Sequence, residues 1–143
     1  MERAKSKKIG LLSMAIFGVL IAVGCLTVSA SSYTSTLNIG NGVSFSGSTR
    51  YYTAGTHKIS IYVDSYTKMS LMNYTKLKIQ LARDNGNSST LLGTKTNTIN
   101  DLTTTVLNNF GTQTAGNKYY AFSTKIDGTT YGGVKSNSVV MSS

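Results

Sequence analysis

Few side chains in this chain could carry out acid–base or nucleophilic catalysis. His57 is the single histidine, and the only carboxylates after residue 30 are Asp64, Asp84, Asp101 and Asp127. A serine hydrolase would need His57 as base between a serine and an aspartate, but no serine lies in a nucleophile-elbow motif. Glycoside hydrolysis needs two facing carboxylates, and these aspartates are scattered over predicted turns and strand ends. We therefore expect no enzymatic activity.

Metal and cofactor chemistry also lacks ligands in the sequence. No cysteine or glutamate after residue 30 can join His57 in a zinc or iron site, and a lone histidine that opens a strand is usually exposed. Residues 84–87, Asp-Asn-Gly-Asn, favour a hairpin turn over a calcium loop, because a distal bidentate acid is missing. Residues 93–95, Gly-Thr-Lys, lack the Walker pattern around them. No metal or cofactor is expected.

Alternating apolar and polar residues predict three strands with one buried face each. Residues 57–63 place Ile59, Ile61 and Val63 on one side. In residues 75–83 the buried set is Leu77, Ile79 and Leu81, and the third strand spans residues 118–126. In this third strand Tyr120, Phe122 and Ile126 point one way, and Tyr119, Ala121, Ser123 and Lys125 point the other.

Turn residues and weaker alternation predict the remaining strands. Gly40-Asn41-Gly42 is expected to join strands 33–39 and 43–46 as a hairpin, and residues 84–87 to return the chain into strand 90–96. Further strands are predicted over residues 102–108, with Leu102 and Val106 inward, and 134–141. Gly132-Gly133 predicts a bulge or bend. Residues 65–74 are expected to form a short turn or helix.

These elements predict an all-β domain over residues 31–143. Seven to eight short antiparallel strands with regular turns are typical of a two-sheet β-sandwich, with immunoglobulin-like and jelly-roll-like strand orders both open. About half of these residues are Ser, Thr, Asn or Gly, and none is cysteine. The fold must therefore be held together by packing and sheet hydrogen bonds rather than by disulfides.

Basic and aromatic side chains suggest a binding surface. After residue 30 the chain contains ten lysines and arginines but only four aspartates, so this part of the chain is cationic. Several of these residues point away from the predicted core and would form one basic face if their strands were neighbours. The candidate residues of this face are Lys58, Tyr62, Lys76, Lys78, Tyr119 and Lys125. An ordinary solvated face is the competing interpretation.

A second candidate surface is Arg50-Tyr51-Tyr52, in a polar stretch before His57. Exposed tyrosines in a loop are typical of a recognition tip, although they equally suit a cap over the end of the sandwich. The partners expected for such surfaces are an anionic cell-wall polymer, a membrane surface or a glycan. Self-association is a further expectation, and nothing indicates a specific nucleic acid.

The first thirty residues resemble a secretory signal. Arg3, Lys5, Lys7 and Lys8 precede an apolar run over residues 9–28, and the small residues of Val28-Ser29-Ala30 suit cleavage after Ala30. We expect a secreted, extracellular domain of bacterial type. Two alternatives remain: an uncleaved anchor through residues 9–28, and a lipoprotein lipidated at Cys25, the only cysteine.

Two sequence likenesses bear on function. Residues 116–122, followed by a Gly-rich turn and a Val-rich strand, resemble the end of many secreted bacterial sandwich modules. Residues 51–63 are faintly similar to small secreted bacteriocins of the lactococcin sandwich type, but the chain is longer and lacks their tryptophans, so no residue is carried over. The leading expectation is a non-catalytic binding module for an anionic or cell-surface ligand. Alternatives are an exported bacteriocin-like toxin acting on a competitor's envelope and an extracellular coat protein assembling through edge strands.

Overall fold

A computed structural model describes residues 30–101 and 104–143 of the protein. The predicted signal, the apolar run over residues 9–28, Cys25 and Leu102 lie outside the described residues. Every strand pairing is antiparallel, and none of the described residues is helical. No helix in this part of the chain therefore has the length and hydropathy of a membrane span.

The strands, in chain order, are β1 Ser32–Ile39, β2 Ser44–Ser46, β3 Arg50–Tyr52, β4 Gly55–Tyr62, β5 Ser65–Tyr66, β6 Thr75–Asp84, β7 Ser89–Ile99, β8 Thr105–Gln113, β9 Gly116–Ser123, β10 Lys125–Ile126, β11 Thr129–Thr130 and β12 Val134–Ser142. The first sheet has the order β1–β12–β4–β8, with β5 pairing with β12. The second has the order β2–β9–β6–β7, with β3 pairing with β9. The two sheets form the predicted β-sandwich.

Alternation of side chains puts one face of each long strand into the space between the sheets. Ile59 and Ile61 of β4 and Leu77, Ile79 and Leu81 of β6 have no solvent exposure, as predicted. Tyr120 and Phe122 of β9 and Val106 of β8 are also buried. The buried apolar residues between Leu37 and Met141 form one cluster shared by both sheets, so we expect residues 31–143 to fold as a domain.

The predicted hairpin at Gly40-Asn41-Gly42 is wrong. β1 pairs with β12 and β2 pairs with β9, so this turn carries the chain from the first sheet to the second. The Asn41 side chain is engaged in tertiary contacts, since its Oδ1 accepts hydrogen bonds from Thr67 Oγ1 and from the Gly133 amide, both at 2.7 Å. These long-range contacts determine the course of the backbone here. Local turn chemistry alone would have predicted a hairpin.

One other predicted turn is confirmed. β6 and β7 form a hairpin in which the Asp84 carboxylate accepts a hydrogen bond from the Gly86 amide at 2.9 Å. β10 and β11 are joined by Asp127 and Gly128, which have φ angles of 49° and 81°. Positive φ at both positions is the geometry of a type I′ hairpin, for which an Asp-Gly pair is well suited.

The segment before β12 bends where two backbones meet. A Cβ atom added at Gly132 would lie 1.7 Å from the Thr67 carbonyl oxygen, and one at Gly133 would lie 2.4 Å from the Ile39 carbonyl oxygen. Only glycine permits this approach. The facing residues 65–74 contain β5 and a turn instead of a helix, and residues 50–52 form a strand where a loop was expected.

Candidate ligand-binding face

The predicted basic face is divided between the two sides of the sandwich. Lys58 and Tyr62 lie on β4, on the outer face of the first sheet, because the alternate residues of β4 are buried. Lys76 and Lys78 lie on β6, and Tyr119 on β9, in the second sheet. β4 and β6 are therefore not neighbours, and the two lysine-bearing strands do not form one surface. The outer face of the second sheet keeps Lys76, Lys78 and Tyr119.

A shallow groove runs over this outer face. Its floor consists of small side chains on β2 and β9, since Ser44 pairs with Ser123 and Ser46 pairs with Ala121. The two hydroxyl oxygens of Ser44 and Ser123 are 2.5 Å apart, so they share a hydrogen bond. Small residues on two adjacent strands leave a depression of about 290 Å³ that is open to solvent.

One wall of the groove is formed by β6. Lys78 lies opposite Ser123 and Gln80 lies opposite Ala121, and directly opposite residues of an antiparallel pair share a face. On the other side of β6, Thr94 and Thr96 lie opposite Gln80 and Lys78. Gln80 Nε2 donates to Thr94 Oγ1 at 3.3 Å, which orients the amide. The groove thus combines a cation, an amide and several hydroxyl groups.

A second lysine extends the cationic surface along the strand. Lys76 Nζ lies 5.9 Å from the ring centroid of Tyr74 and 5.5 Å from that of Tyr131, which fits cation–π contacts with both rings. Lys125 is exposed on β10, which lies next to β6. These three lysines favour an anionic ligand, whose attraction to exposed charges is screened by salt over about 8 Å at physiological ionic strength.

Tyrosines mark the opposite end of the same face. Tyr119 lies opposite Ala82, and Tyr51, which is 57% exposed, lies opposite Asn117. Tyr51 and Tyr119 are thus diagonal neighbours across the β3–β9 pair. The distance from Ala82 to Lys76 along β6 is about 20 Å at the usual rise of a strand. The face is long enough for an extended polymer.

The Arg50-Tyr51-Tyr52 surface predicted from the sequence is only partly available. β3 pairs with the start of β9, which turns Tyr51 outward and Tyr52 into the core at 1% exposure. Burial raises the pKa of Tyr52 to about 12. The Arg50 guanidinium lies 5.0 Å from the centroid of the Tyr33 ring. Tyr52 is therefore a core residue, and the expectation of an exposed tyrosine tip holds for Tyr51 alone.

His57 is fully buried, so the expectation of an exposed histidine is wrong. It points inward with Ile59 and Ile61, and its Nδ1 lies 3.0 Å from the carbonyl oxygen of Gly55. Burial lowers the pKa of His57, and the positive charge of Lys118 lowers it further. Among the residues that the structure describes, no three His, Cys, Asp or Glu side chains are grouped as metal ligands.

Some residues of the groove had no sequence signal of their own. Alternation placed Gln80, Ala121 and Ser123 on outward faces, but Ser44 and Ser46 were assigned to a strand beside β1. Only the β2–β9 pairing brings those serines to the groove. Tyr74 and Tyr131 come from a loop and a turn, which alternation does not cover.

Comparison with known proteins adds no further information on this site. No protein-family model matches the chain, and no curated protein matches it.

Proposed function

We propose that the protein is an exported, non-catalytic binding module that holds an anionic cell-wall polymer along the outer face of the second sheet. The observation that carries the proposal is Lys78 on the wall of a groove whose floor is Ser44, Ser46, Ala121 and Ser123. Small floor residues let a chain approach the sheet, while the ammonium group supplies the attraction. Hydroxyl and amide groups beside it suit the oxygen atoms of a polyol or phosphate polymer.

Three features favour a polymer over a small molecule. The groove is shallow and open, whereas sites for small molecules usually enclose most of the ligand. Lys76 and Lys78 lie two residues apart on β6, and Lys125 lies on the neighbouring β10, which gives several positive charges for the repeated charges of a polymer. Tyr119 and Tyr51 at the far end offer ring faces to sugar or polyol units.

The test compares two pairs of lysines that carry the same charge on opposite sides of the sandwich. Lys76→Gln with Lys78→Gln changes the proposed face, and Lys58→Gln with Lys135→Gln changes the other sheet, where both lysines are exposed. Binding of purified wall teichoic acid, a glycerol-phosphate polymer, is measured for residues 31–143 by calorimetry at several salt concentrations. Neutral dextran serves as the uncharged polymer.

We expect the Lys76/Lys78 variant to bind teichoic acid about tenfold more weakly, with a reduced salt dependence. The Lys58/Lys135 variant should retain the wild-type affinity, and dextran should bind to none of them. Equal losses in the two double variants would show that only net charge matters, and the proposal would then fail.

A further inference from the structure

The loop between β5 and β6, residues 67–74, presents an apolar tip to solvent. Leu71 has 107% of the exposure of a free side chain, and Met69 and Met72 lie beside it at partial exposure. The Leu71 φ angle is 72°, a left-handed conformation that is an outlier for a bulky residue. The turn is closed by a hydrogen bond of 3.0 Å from the Met72 amide to the Met69 carbonyl.

This arrangement does not help folding. A left-handed leucine costs backbone energy that glycine or asparagine would avoid, and Leu71 gains no burial in return. Two flexible, polarizable methionine side chains next to it are typical of adaptable contact surfaces. Leu71 is fully exposed at the tip, so it suits insertion into a soft apolar medium.

Tyrosines and lysines surround the base of this tip. Lys68 Nζ lies 5.8 Å from the centroid of the Tyr66 ring, and Lys76 lies near the rings of Tyr74 and Tyr131. Tyrosine rings are enriched where membrane proteins meet the boundary between water and lipid, and lysines there contact anionic headgroups. A fully exposed leucine with half-buried Tyr66 and Tyr74 and two lysines beside it therefore matches the composition of segments that bind at a bilayer surface.

We propose that residues 67–74 insert Leu71 into the interface of an anionic lipid bilayer, with Lys68 and Lys76 against the headgroups. The loop itself carries Lys68 and no acid. Asp64, Asp101 and Asp127 lie in neighbouring connections at this end of the sandwich. The electrostatic attraction to anionic headgroups is therefore modest, and insertion of the Leu71 side chain is essential for binding. Lys76 is shared with the proposed polymer-binding face, whereas Leu71 and Lys68 lie outside the groove.

The chain contains no tryptophan, which allows a local fluorescent probe. Leu71→Trp in residues 31–143 is mixed with vesicles of phosphatidylglycerol and phosphatidylcholine, and with vesicles of phosphatidylcholine alone. Leu107→Trp is the matched control, because Leu107 is 68% exposed on the outer face of the first sheet. The indole emission of the Leu71→Trp variant should shift to the blue with anionic vesicles, while that of the Leu107→Trp variant should stay unchanged.

Affinity is measured by co-sedimentation with the same vesicles. Leu71→Ser should weaken binding to anionic vesicles by about tenfold or more, as expected for one buried leucine, and Leu107→Ser should not change it. Teichoic acid binding should be unaffected by Leu71→Ser, which separates this proposal from the proposed function. Three results would overturn the inference: an unshifted emission in the Leu71→Trp variant, equal binding to phosphatidylcholine alone, or a Leu71-dependent dimer in the absence of lipid.

Discussion

The side chains of His57 and Lys118 come from opposite sheets, and neither is exposed to solvent. Lys118 Nζ donates a hydrogen bond of 2.5 Å to the Thr114 carbonyl oxygen in the turn between β8 and β9. Nε2 of His57 is buried without a hydrogen-bond partner. The carbonyl group stabilises the charged lysine, whereas a proton on Nε2 of His57 would lack an acceptor and would lie in the field of Lys118.

Acidification should therefore destabilise the domain in the range where histidine titrates. Unfolded His57 has a pKa near 6.5 and its folded pKa is lower, so the unfolded state binds more protons between these values. The contribution of neutral His57 to the free energy of unfolding is fully present above about pH 6.5. It is lost as the pH falls towards the folded pKa. Urea unfolding measured between pH 7.5 and pH 5 should show a decreasing free energy of unfolding.

His57→Gln is the control for this pH dependence. A residue that does not titrate should give a flat profile over the same range, even if the variant is less stable throughout. Asp84 has a lowered pKa because of hydrogen bonds from Thr49 and the Gly86 amide, so its effect is confined to below about pH 4. A wild-type stability that is constant from pH 7.5 to pH 5 would contradict the prediction.

Removing the buried lysine should change the titration of the histidine. Lys118→Met eliminates the positive charge but keeps the length of the side chain, so the folded pKa of His57 should rise towards, but not reach, its unfolded value, since burial remains. His57 is the only histidine, so its imidazole resonances can be followed by NMR without ambiguity. Lys58→Met, next in sequence but outward-facing, should leave this pKa unchanged. The same shift in both variants would refute a specific effect of Lys118.

Gly132 should be far less replaceable than Gly40. A methyl group at Gly132 would overlap the Thr67 carbonyl oxygen, and the Gly132 carbonyl already accepts a hydrogen bond of 2.6 Å from Thr75 Oγ1. Gly132→Ala should cost about 1–3 kcal/mol of unfolding free energy, the usual range for overpacking. At Gly40 the nearest atom to an added Cβ is 3.4 Å away, so Gly40→Ala should be nearly neutral. Thermal and urea unfolding compare the two, and equal losses would contradict the close approach.

Sequence periodicity was sufficient to predict the strands that bury only one of their two faces. Ile59 and Ile61 in β4 alternate with outward residues, as do Leu77, Ile79 and Leu81 in β6, and this alternation predicted both the core positions and the outward lysines. Local turn chemistry was also reliable at residues 84–87, because this turn joins β6 and β7, which are adjacent in sequence and paired in space.

The same reasoning could not find contacts between residues distant in the chain. Pairing of β2 with β9 depends on residues about 80 positions apart, and it creates the groove that the sequence did not reveal. His57 looked exposed because histidine is polar, although its position in the alternation of β4 is an inward one. Inward alternation of His57 with Ile59 was therefore a better guide to burial than the residue type.

A comparison of two adjacent residues on β6 tests both the register and the proposed face. Ile79 is fully buried between the sheets, so Ile79→Ala should cost about 2–5 kcal/mol of unfolding free energy. Lys78 points outward into the groove, so Lys78→Gln should be nearly neutral in urea unfolding while weakening polymer binding. The two variants thus separate loss of stability from loss of ligand. Equal destabilisation by both would mean that β6 is registered differently, and the lysine wall of the groove would no longer exist.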